Sequence, residues 1–388
     1  MTKRRKKVEE SDASVKSVET TPKKIREIDT AIAEIRKEMG EGSILPATQI
    51  PIANHIPTGV FILDLATLGG IPEGYASMIY GLPSSGKTTI SKKIVGEFQK
   101  KHAEKDAVWI DTENLFDPEW AKVQGVDLNR LHVSRPGTGQ EAVDVMASML
   151  ETWEVGLIVL DSIPGCVPFK IIEKSAEDRT MGELAALMGV MCSKILHFHN
   201  KERKRGHYVT IIMMNQFRMK LGLVFGDPRT LPGGIQINHL PSTKIELKNN
   251  EKMGTDKYGS EIVEVNEHSF KVTKAKHGSS LRTGEFRMVI NPDNMKGLRS
   301  GSIDDMDTLL VYAKRMSLVT GGGSSWRMDL DGIDEKFKSL SAMEEFLIKQ
   351  PDVALTLKQT ILVLQRTSKG LPALPPDKYL FDWMDIES

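Results

Sequence analysis

One stretch of eight residues constrains the fold of this chain more than any other. Residues 81–88 read GLPSSGKT, which matches the phosphate-binding pattern G-x-x-x-x-G-K-[ST]. An apolar run from Ala76 to Tyr80 precedes this stretch, and a helical pattern from Thr89 to Phe98 follows it. The order of strand, glycine loop and helix predicts an α/β domain in which backbone N–H groups at a helix N-terminus bind phosphate.

Three further apolar runs alternate with helical patterns along the same part of the chain. They cover residues 107–110, 157–160 and 209–214, and an amphipathic pattern from Glu141 to Trp153 separates two of them. Short buried strands that alternate with helices are typical of a mostly parallel sheet with helices on both faces. The predicted fold class is therefore α/β, with a mostly parallel central sheet.

Changes in composition divide the chain into four segments. Residues 1–24 are polar and basic, a composition that predicts a disordered tail. The lysines and arginines of this tail would either contact phosphates or be solvated. Residues 25–50 begin with an amphipathic helical pattern. Residues 51–300 carry the alternating strands and helices, and residues 301–388 predict a small α-rich C-terminal domain with a tail.

Composition excludes several classes of protein. Lys plus Arg and Asp plus Glu both number 52, so net charge gives no argument for a nucleic-acid or membrane partner. The two cysteines are too few for a disulfide framework or a four-ligand zinc site. The sequence has no apolar run long enough for a membrane span and no signal peptide, so we expect a cytoplasmic protein.

Side chains that suit ATP hydrolysis stand at the ends of the predicted strands. Asp161 ends one strand. A carboxylate in this position can hold magnesium, either directly or through water. Glu113 follows another and is placed to be the general base for an attacking water, although a capping or salt-bridged glutamate would show the same pattern. Gln216 follows a third and suits a sensor of the γ-phosphate. With Lys87 and Thr88, these residues indicate hydrolysis of a nucleoside triphosphate with Mg²⁺.

The wider set of motifs resembles the RecA family of ATP-dependent DNA recombinases, in its bacterial and phage form. The resemblance covers about residues 25–340 and implies a RecA-like P-loop ATPase core, with an N-terminal helical oligomerisation segment and a small C-terminal domain. The matching motifs, in the order of the family, are EMGEGSIL (38–45), GLPSSGKTT (81–89), WIDTENLFDPEWAKVQGVD (109–127), LIVLDS (157–162), MMNQFRMKLGLVFGDPRTLPGG (213–234) and KVTKAKHG (271–278).

The resemblance also implies roles for individual residues. Glu113 would activate water, Asp161 would hold magnesium and Gln216 would sense the γ-phosphate of ATP. Asp117 and Trp120 fall where the family holds the adenine base, with tryptophan in place of the usual tyrosine, and its larger ring can still stack on a purine. The residues implied in binding phosphate and magnesium are Gly81, Ser84, Ser85, Gly86, Lys87, Thr88 and Thr89.

Two lysines imply that the site is shared between subunits. Lys274 and Lys276 match the pair that, in this family, reaches across a subunit interface to the ATP of the neighbour. Without the resemblance, two alternating lysines on a strand would be ordinary surface residues. A head-to-tail contact that repeats with a rotation generates a helical filament, so the chain itself is one implied partner.

Two segments match the DNA-binding loops of the family, at about residues 168–182 and 218–234. Met181 in the first and Leu221 in the second match apolar residues that wedge into bound DNA. Such wedges beside basic side chains suit single-stranded DNA of any sequence, whereas an ordinary flexible surface loop is the alternative. The remaining residues assigned to the second loop are Arg218, Lys220, Phe225, Gly233 and Gly234.

The sequence therefore predicts a DNA-dependent ATPase that forms a helical filament on single-stranded DNA, pairs it with homologous duplex DNA and exchanges strands. Two other classes stay open, namely a RecA-fold filament scaffold or mediator without strand exchange, and an ATPase motor or regulator. Glu113 favours turnover over a pure switch, and residues 218–234 favour single strands over a protein partner. A loader or a single-strand-binding protein stays open as a further partner.

Asn238 and His239 depart from the family pattern, which commonly has a basic and an aromatic residue there.

Overall fold

The computed structural model describes residues 22–50, 53–173, 182–219, 227–255, 260–279, 282–291, 298–330 and 332–373. The chain divides into two units, residues 1–51 and 52–388. The first unit contains helix α1 (Pro22–Met39), which confirms the predicted amphipathic helix, and two short 3₁₀ turns (Glu41–Ser43 and Ala47–Gln49). Gly40, with φ of 91°, ends α1, and the Arg36 guanidinium donates to the Ile44 carbonyl at 3.2 Å.

The second unit is built on a nine-stranded sheet, with two two-stranded sheets and one three-stranded sheet beside it. Its strands are β1 (His55–Ile56), β2 (Ile71–Pro72), β3 (Ala76–Gly81), β4 (Asp106–Asp111), β5 (Leu131–Ser134), β6 (Val155–Asp161), β7 (Thr210–Gln216), β8 (Arg218–Met219), β9 (Arg229–Thr230), β10 (Thr243–Thr255), β11 (Glu261–Ala275), β12 (Thr283–Val289), β13 (Ile303–Asp304), β14 (Val319–Gly322), β15 (Ser325–Leu330) and β16 (Ile333–Phe337).

The large sheet has the strand order β13-β12-β11-β10-β3-β7-β6-β4-β5. From β10 to β5 all neighbours are parallel, and the three remaining pairs, from β10 to β13, are antiparallel. The mostly parallel sheet is thus confirmed, and the four predicted strands are β3, β4, β6 and β7. Their carboxyl ends lie side by side, because these strands are adjacent in the order β3-β7-β6-β4.

Helices cover both faces of the parallel strands. Successive strand residues alternate between two hydrophobic cores, as Ile158 and Val159 do, which explains why these strands are apolar at every position. None of the described helices is long and apolar enough to span a bilayer. The helices of this unit are α2 (Phe61–Thr67), α3 (Lys87–Lys101), α4 (Pro118–Val123), α5 (Gly139–Glu151), α6 (Phe169–Ile172), α7 (Glu183–Arg203), α8 (Gly234–His239), α9 (Met306–Arg315), α10 (Leu340–Lys349) and α11 (Pro351–Thr367).

Residues after 300 share a hydrophobic core with the nucleotide-binding strands. Leu309 on α9 and Leu357 on α11 belong to the same buried cluster as α2 and α3. A buried ion pair joins Asp305 to Lys358 at 3.3 Å, and Asp305 also accepts the backbone N–H of Phe61 at 3.2 Å. The segment contains a three-stranded antiparallel sheet (β14 to β16) besides its predicted helices. The domain boundaries themselves stay predictions.

Candidate functional site at the carboxyl ends of four strands

The loop between β3 and α3 has the geometry of a phosphate-binding loop. Gly86 immediately precedes the 15-residue helix α3 and has φ of 89°, in the left-handed region that favours glycine. A Cβ on Gly86 would also lie 2.6 Å from Cε1 of His268, so a side chain is excluded there for a second reason. The first N–H groups of α3 have no partner within the helix and point toward the loop, which is where an anion is stabilised.

Lys87 folds back over this loop. Its Nζ donates to the Leu82 carbonyl at 2.7 Å and to Ser85 Oγ at 3.3 Å. Burial lowers the pKa of Lys87, while Asp161 and Glu113 act in the opposite direction. Contacts with one carbonyl and one hydroxyl leave the buried ammonium without a direct anionic partner among the described residues, so an anionic phosphate would be a favourable ligand.

Two oxygen ligands suited to a divalent cation lie beside Lys87. Thr88 Oγ1 donates to Asp161 Oδ2 at 3.3 Å. Burial, followed by the charges of Glu113 and Asp111, raises the pKa of Asp161 to about 7. The Thr88 hydroxyl and the Asp161 carboxylate provide oxygen ligands, and the carboxylates of Glu113 and Asp111 add negative charge nearby. Mg²⁺ prefers oxygen ligands of this kind, so the residues present fit this ion.

Glu113 is held by two side chains from neighbouring strand ends. Its Oε1 accepts Ser162 Oγ at 2.5 Å and Gln216 Nε2 at 3.4 Å. Ser162 is fully buried, and its backbone N–H donates to Thr112 Oγ1 at 2.8 Å, which ties the end of β6 to the end of β4. The structure therefore brings Glu113, Asp161 and Gln216 together, as the order of strand ends predicts.

An open cleft of about 390 Å³ contains these groups. Trp120 forms part of its wall, and its Nε1 donates to Thr89 Oγ1 at 3.1 Å. Asp117 helps to position Trp120. Its carboxylate accepts a hydrogen bond from the backbone N–H of Trp120 at 3.1 Å and so caps helix α4. Further lining residues come from β11 and from the end of β12, and they are Asn266, His268, Met288 and Ile290.

Sequence reasoning missed these four lining residues and also missed Ser162. Asn266 Oδ1 is buried and finds no hydrogen-bond partner within the described part of the chain. These residues carry no motif of their own, and they reach the cleft only because β11 pairs with β10, which lies next to β3. Ser162 could have been noticed, since it directly follows Asp161.

The comparisons with known proteins decide the family. Residues 26–293 match the family model described as the RecA N-terminal domain. Protein RecA of Clostridium acetobutylicum is 35% identical over 287 residues, which is 73% of this chain and 78% of that protein. Protein RecA of Ruminococcus albus is 31% identical over 361 residues, or 92% of this chain and 84% of that protein.

The chain belongs to the RecA family. It is accordingly a RecA-type recombination protein, and the family's members are DNA-dependent ATPases that use ATP with Mg²⁺. A crystal structure of the RadB recombinase is similar over 60% of this chain and 96% of that chain, with 21% identity and a TM-score of 0.43.

Lys274 and Lys276, which are predicted to reach a neighbouring subunit, do not line the cleft of their own chain. Lys274 on β11 pairs with Lys244 on β10, and Lys244 pairs in turn with Met78 on β3. Met78 lies three residues before Gly81, where the phosphate loop begins. Three strand residues correspond to about 10 Å. The Lys274 ammonium donates to the His239 carbonyl at 2.6 Å, and burial, then Lys276, lowers its pKa. Lys274 thus lies level with the amino-terminal half of β3, away from the phosphate loop at the carboxyl end of that strand.

The two segments predicted to be DNA-binding loops are described only in part. Met181 in the first lies outside the described residues, as do Lys220, Leu221 and Phe225 in the second. The second has a defined stem, because β8 and β9 pair with Arg218 opposite Thr230 and Met219 opposite Arg229. Gly233 and Gly234 have φ of 94° and 83° and lead into α8.

The structure also places the two residues that depart from RecA's usual pattern. The Asn238 side chain donates to the Gly234 carbonyl at 2.7 Å and accepts from Lys244 Nζ at 3.2 Å. His239 contributes its carbonyl to Lys274. Both residues therefore help to position lysines on β10 and β11.

Proposed function

We propose that this chain is a DNA-dependent ATPase that assembles into a helical filament on single-stranded DNA, pairs it with homologous duplex DNA and exchanges the strands. One observation supports this proposal most. Gln216 contacts the Glu113 carboxylate in the cleft and lies two residues before Arg218, where the stem of the second loop begins. A single short segment therefore connects the hydrolytic groups to the DNA-binding segment.

In this proposal ATP is the substrate of the cleft. Trp120 and Met288 would hold the adenine between an aromatic ring and an apolar side chain, with Ile290 beside them. Asn266 Oδ1 would accept a hydrogen bond from the nucleoside. The residues that would bind the phosphates are Gly81, Ser84, Ser85, Gly86, Lys87, Thr88 and Thr89.

Glu113 would act as the general base. Its carboxylate would orient a water molecule toward the γ-phosphate and accept its proton as the oxygen attacks. Ser162 would fix the carboxylate through the 2.5 Å hydrogen bond, so the base is positioned before the substrate arrives. Mg²⁺, held by Thr88 and Asp161, supplies neutralisation of phosphate charge when it is bound.

Gln216 would report the state of the nucleotide. With no γ-phosphate its amide is engaged by Glu113, and a γ-phosphate oxygen offers a competing, charged acceptor. A change of partner at Gln216 moves the start of the β8 strand, and the loop beyond it, between states of different DNA affinity.

The proposed filament makes each ATP site complete only between neighbouring subunits. Lys274 and Lys276 would contact the ATP of the adjacent subunit, which suits their distance from the cleft of their own chain. Residues 25–50 would add an oligomerisation contact. On the DNA side, Arg218 and Lys220 would bind phosphates, Met181, Leu221 and Phe225 would contact bases, and Gly233 and Gly234 would allow the loop to change conformation.

The test is ATP hydrolysis with and without single-stranded DNA, repeated at rising salt. We expect strong stimulation that weakens as salt rises, because phosphate contacts release counterions. A positive result would be followed by a strand-exchange assay with homologous and non-homologous duplexes. Hydrolysis indifferent to DNA would favour a motor or regulator, and ATP binding without any hydrolysis would favour a filament scaffold or mediator.

A further inference from the structure

Arg229 connects several elements at the stem of the second loop. It lies on the return strand β9, opposite Met219 on the outgoing strand β8. Its side chain is one-third exposed, yet its guanidinium contacts three other side chains at once. The sequence alone gives this residue no role of its own.

The first two contacts are ion pairs. Arg229 donates from Nε and Nη2 to the Asp227 carboxylate at 2.8 to 3.1 Å, and from Nη1 to Glu246 Oε1 on β10 at 3.2 Å. The Asp227 side chain is 56% exposed, so its pair adds little energy and mainly orients the guanidinium. The Glu246 side chain is only 11% exposed, so this second pair fixes the return strand to the central sheet.

The third contact is with the aromatic ring of Phe217, the residue immediately before the outgoing strand β8. The Arg229 guanidinium lies over the ring of Phe217, 4.8 Å from its centroid. Phe217 stands between Gln216 and Arg218, so this cation–π contact joins the return strand to the residue that follows the proposed nucleotide sensor.

Phe217 in turn is attached to the phosphate-binding strand. Its backbone N–H donates to the Gly81 carbonyl at 3.3 Å, and its ring packs edge-on against Tyr80 with 5.4 Å between centroids. Tyr80 is paired with Asn215 across β3 and β7, and Glu246 lies opposite Tyr80 on β10. The contacts of Arg229 with Phe217 and Glu246 therefore both lead to the end of β3, where the phosphate loop begins.

We propose that Arg229 is a positioning residue that transmits the nucleotide state from Gln216 and Phe217 to the return strand of the DNA-binding loop. This inference rests on the proposed function. Arg229 holds the ring of Phe217, and the pair is called the stem clamp below. Through the stem clamp, a displacement of residues 216–217 moves both strands of the stem together. Without the guanidinium, the outgoing strand moves alone and the affinity for DNA differs less between the two nucleotide states.

The test measures the apparent Kd of the full chain for a labelled oligothymidylate, once with a non-hydrolysable ATP analogue and Mg²⁺ and once with ADP and Mg²⁺. The ratio of the two constants is the coupling between the sites, which for allosteric proteins is typically about 5- to 150-fold. We expect Arg229→Gln to lower this ratio to about twofold or less, because loss of coupling brings it toward one, while the affinity for the analogue without DNA is unchanged.

Arg218→Gln is the matched control. It removes one exposed arginine from the other strand of the same stem, and it should weaken DNA binding equally in both nucleotide states, leaving the ratio intact. Phe217→Leu should lower the ratio as Arg229→Gln does. The double variant should be no worse than either single one, because the two residues act as a unit. Melting temperatures of all variants check that each is folded.

Several results would count against the stem clamp. An unchanged ratio in folded Arg229→Gln, with a wild-type ratio well above one, would overturn it and leave the proposed function standing. Additive losses from Arg229→Gln and Phe217→Leu would show that the two side chains act separately, which also overturns it. A wild-type ratio of one would remove the nucleotide-controlled DNA binding of the proposed function itself, and the stem clamp with it.

Discussion

The amide of Gln216 donates to the Glu113 carboxylate, with 3.4 Å between Nε2 and Oε1. The proposed sensor and the proposed base are thus hydrogen-bond partners across two strand ends. We expect Gln216→Ala to retain ATP binding and slow basal hydrolysis but to lose most of its stimulation by single-stranded DNA. Nucleotide affinity and DNA-stimulated turnover, measured on the same preparation, check this. Full stimulation in the variant would separate Gln216 from the loop.

The role of Glu113 is tested by removal of its charge alone. Glu113→Gln preserves the shape of the side chain, and loss of a general base typically costs about 100-fold or more in rate. We expect ATP binding and DNA filaments to persist while turnover falls by that factor. Glu119→Gln, an exposed carboxylate at the start of α4, is the control and should hydrolyse ATP normally. Normal turnover in Glu113→Gln would assign the base elsewhere.

The shared site predicts complementation between two inactive variants. Glu113→Gln should lack the base and Lys274→Ala should lack the lysine offered to the neighbour, so each alone should be inactive. In a random equal mixture, about a quarter of the interfaces combine an intact Glu113 with an intact Lys274 from the next subunit. We expect ATPase activity to recover to about that fraction. Mixtures as inactive as their components would argue against a site shared in this way.

The aromatic wall of the cleft predicts a graded effect on nucleotide affinity. Stacking of a base on an aromatic side chain is worth about 1 to 3 kcal/mol, so Trp120→Ala should weaken ATP binding about tenfold. Trp120→Tyr keeps a ring and should weaken it far less. Equilibrium binding of a labelled ATP analogue distinguishes the two. Equal affinity in Trp120→Ala would exclude this ring from base recognition.

A buried histidine predicts how stability depends on pH. His199 Nε2 lies 3.0 Å from the Val209 carbonyl, and burial, then Arg203, lowers its pKa to about 4. Below pH 6.5 the unfolded chain binds a proton at His199 that the native chain does not, so stability is lost as pH falls. This one group should lower the free energy of unfolding by about 2 kcal/mol between about pH 8 and pH 5.

Urea denaturation at the two pH values measures this change, and His199→Gln supplies the comparison. Glutamine can donate to the Val209 carbonyl but does not titrate, so the variant should lose less stability on acidification than the parent. An equal loss in both proteins would show that other groups cause it.

Much of the nucleotide site was predictable because it depends on the order of strands, loops and helices along the sequence. A strand, a glycine loop and a helix are contiguous in sequence, and the carboxyl ends of neighbouring parallel strands must meet at one edge of the sheet. Glu113 and Asp161 could therefore be placed together from their positions after apolar runs. The strands themselves could be recognised from their apolar runs, because these strands are buried on both faces.

The cleft residues on β11 and β12 and the stem clamp were not predictable in this way. His268 and Met288 reach the nucleotide loop only through antiparallel pairing of β10, β11 and β12, and long hairpin pairings with two register shifts leave no periodic signal that identifies a cleft residue. Arg229 is a similar case, since its partners Phe217 and Glu246 are set by tertiary packing rather than by spacing.

The buried connection between α2 and α11 has a consequence for how the protein is made. Phe61 and Leu65 emerge from the ribosome about 300 residues before Leu357 and Ile361, which corresponds to roughly 15 to 60 s of synthesis. For that time, one side of the nucleotide-binding sheet lacks part of its native cover. The newly made ATPase half is therefore most vulnerable to aggregation while it awaits helix α11.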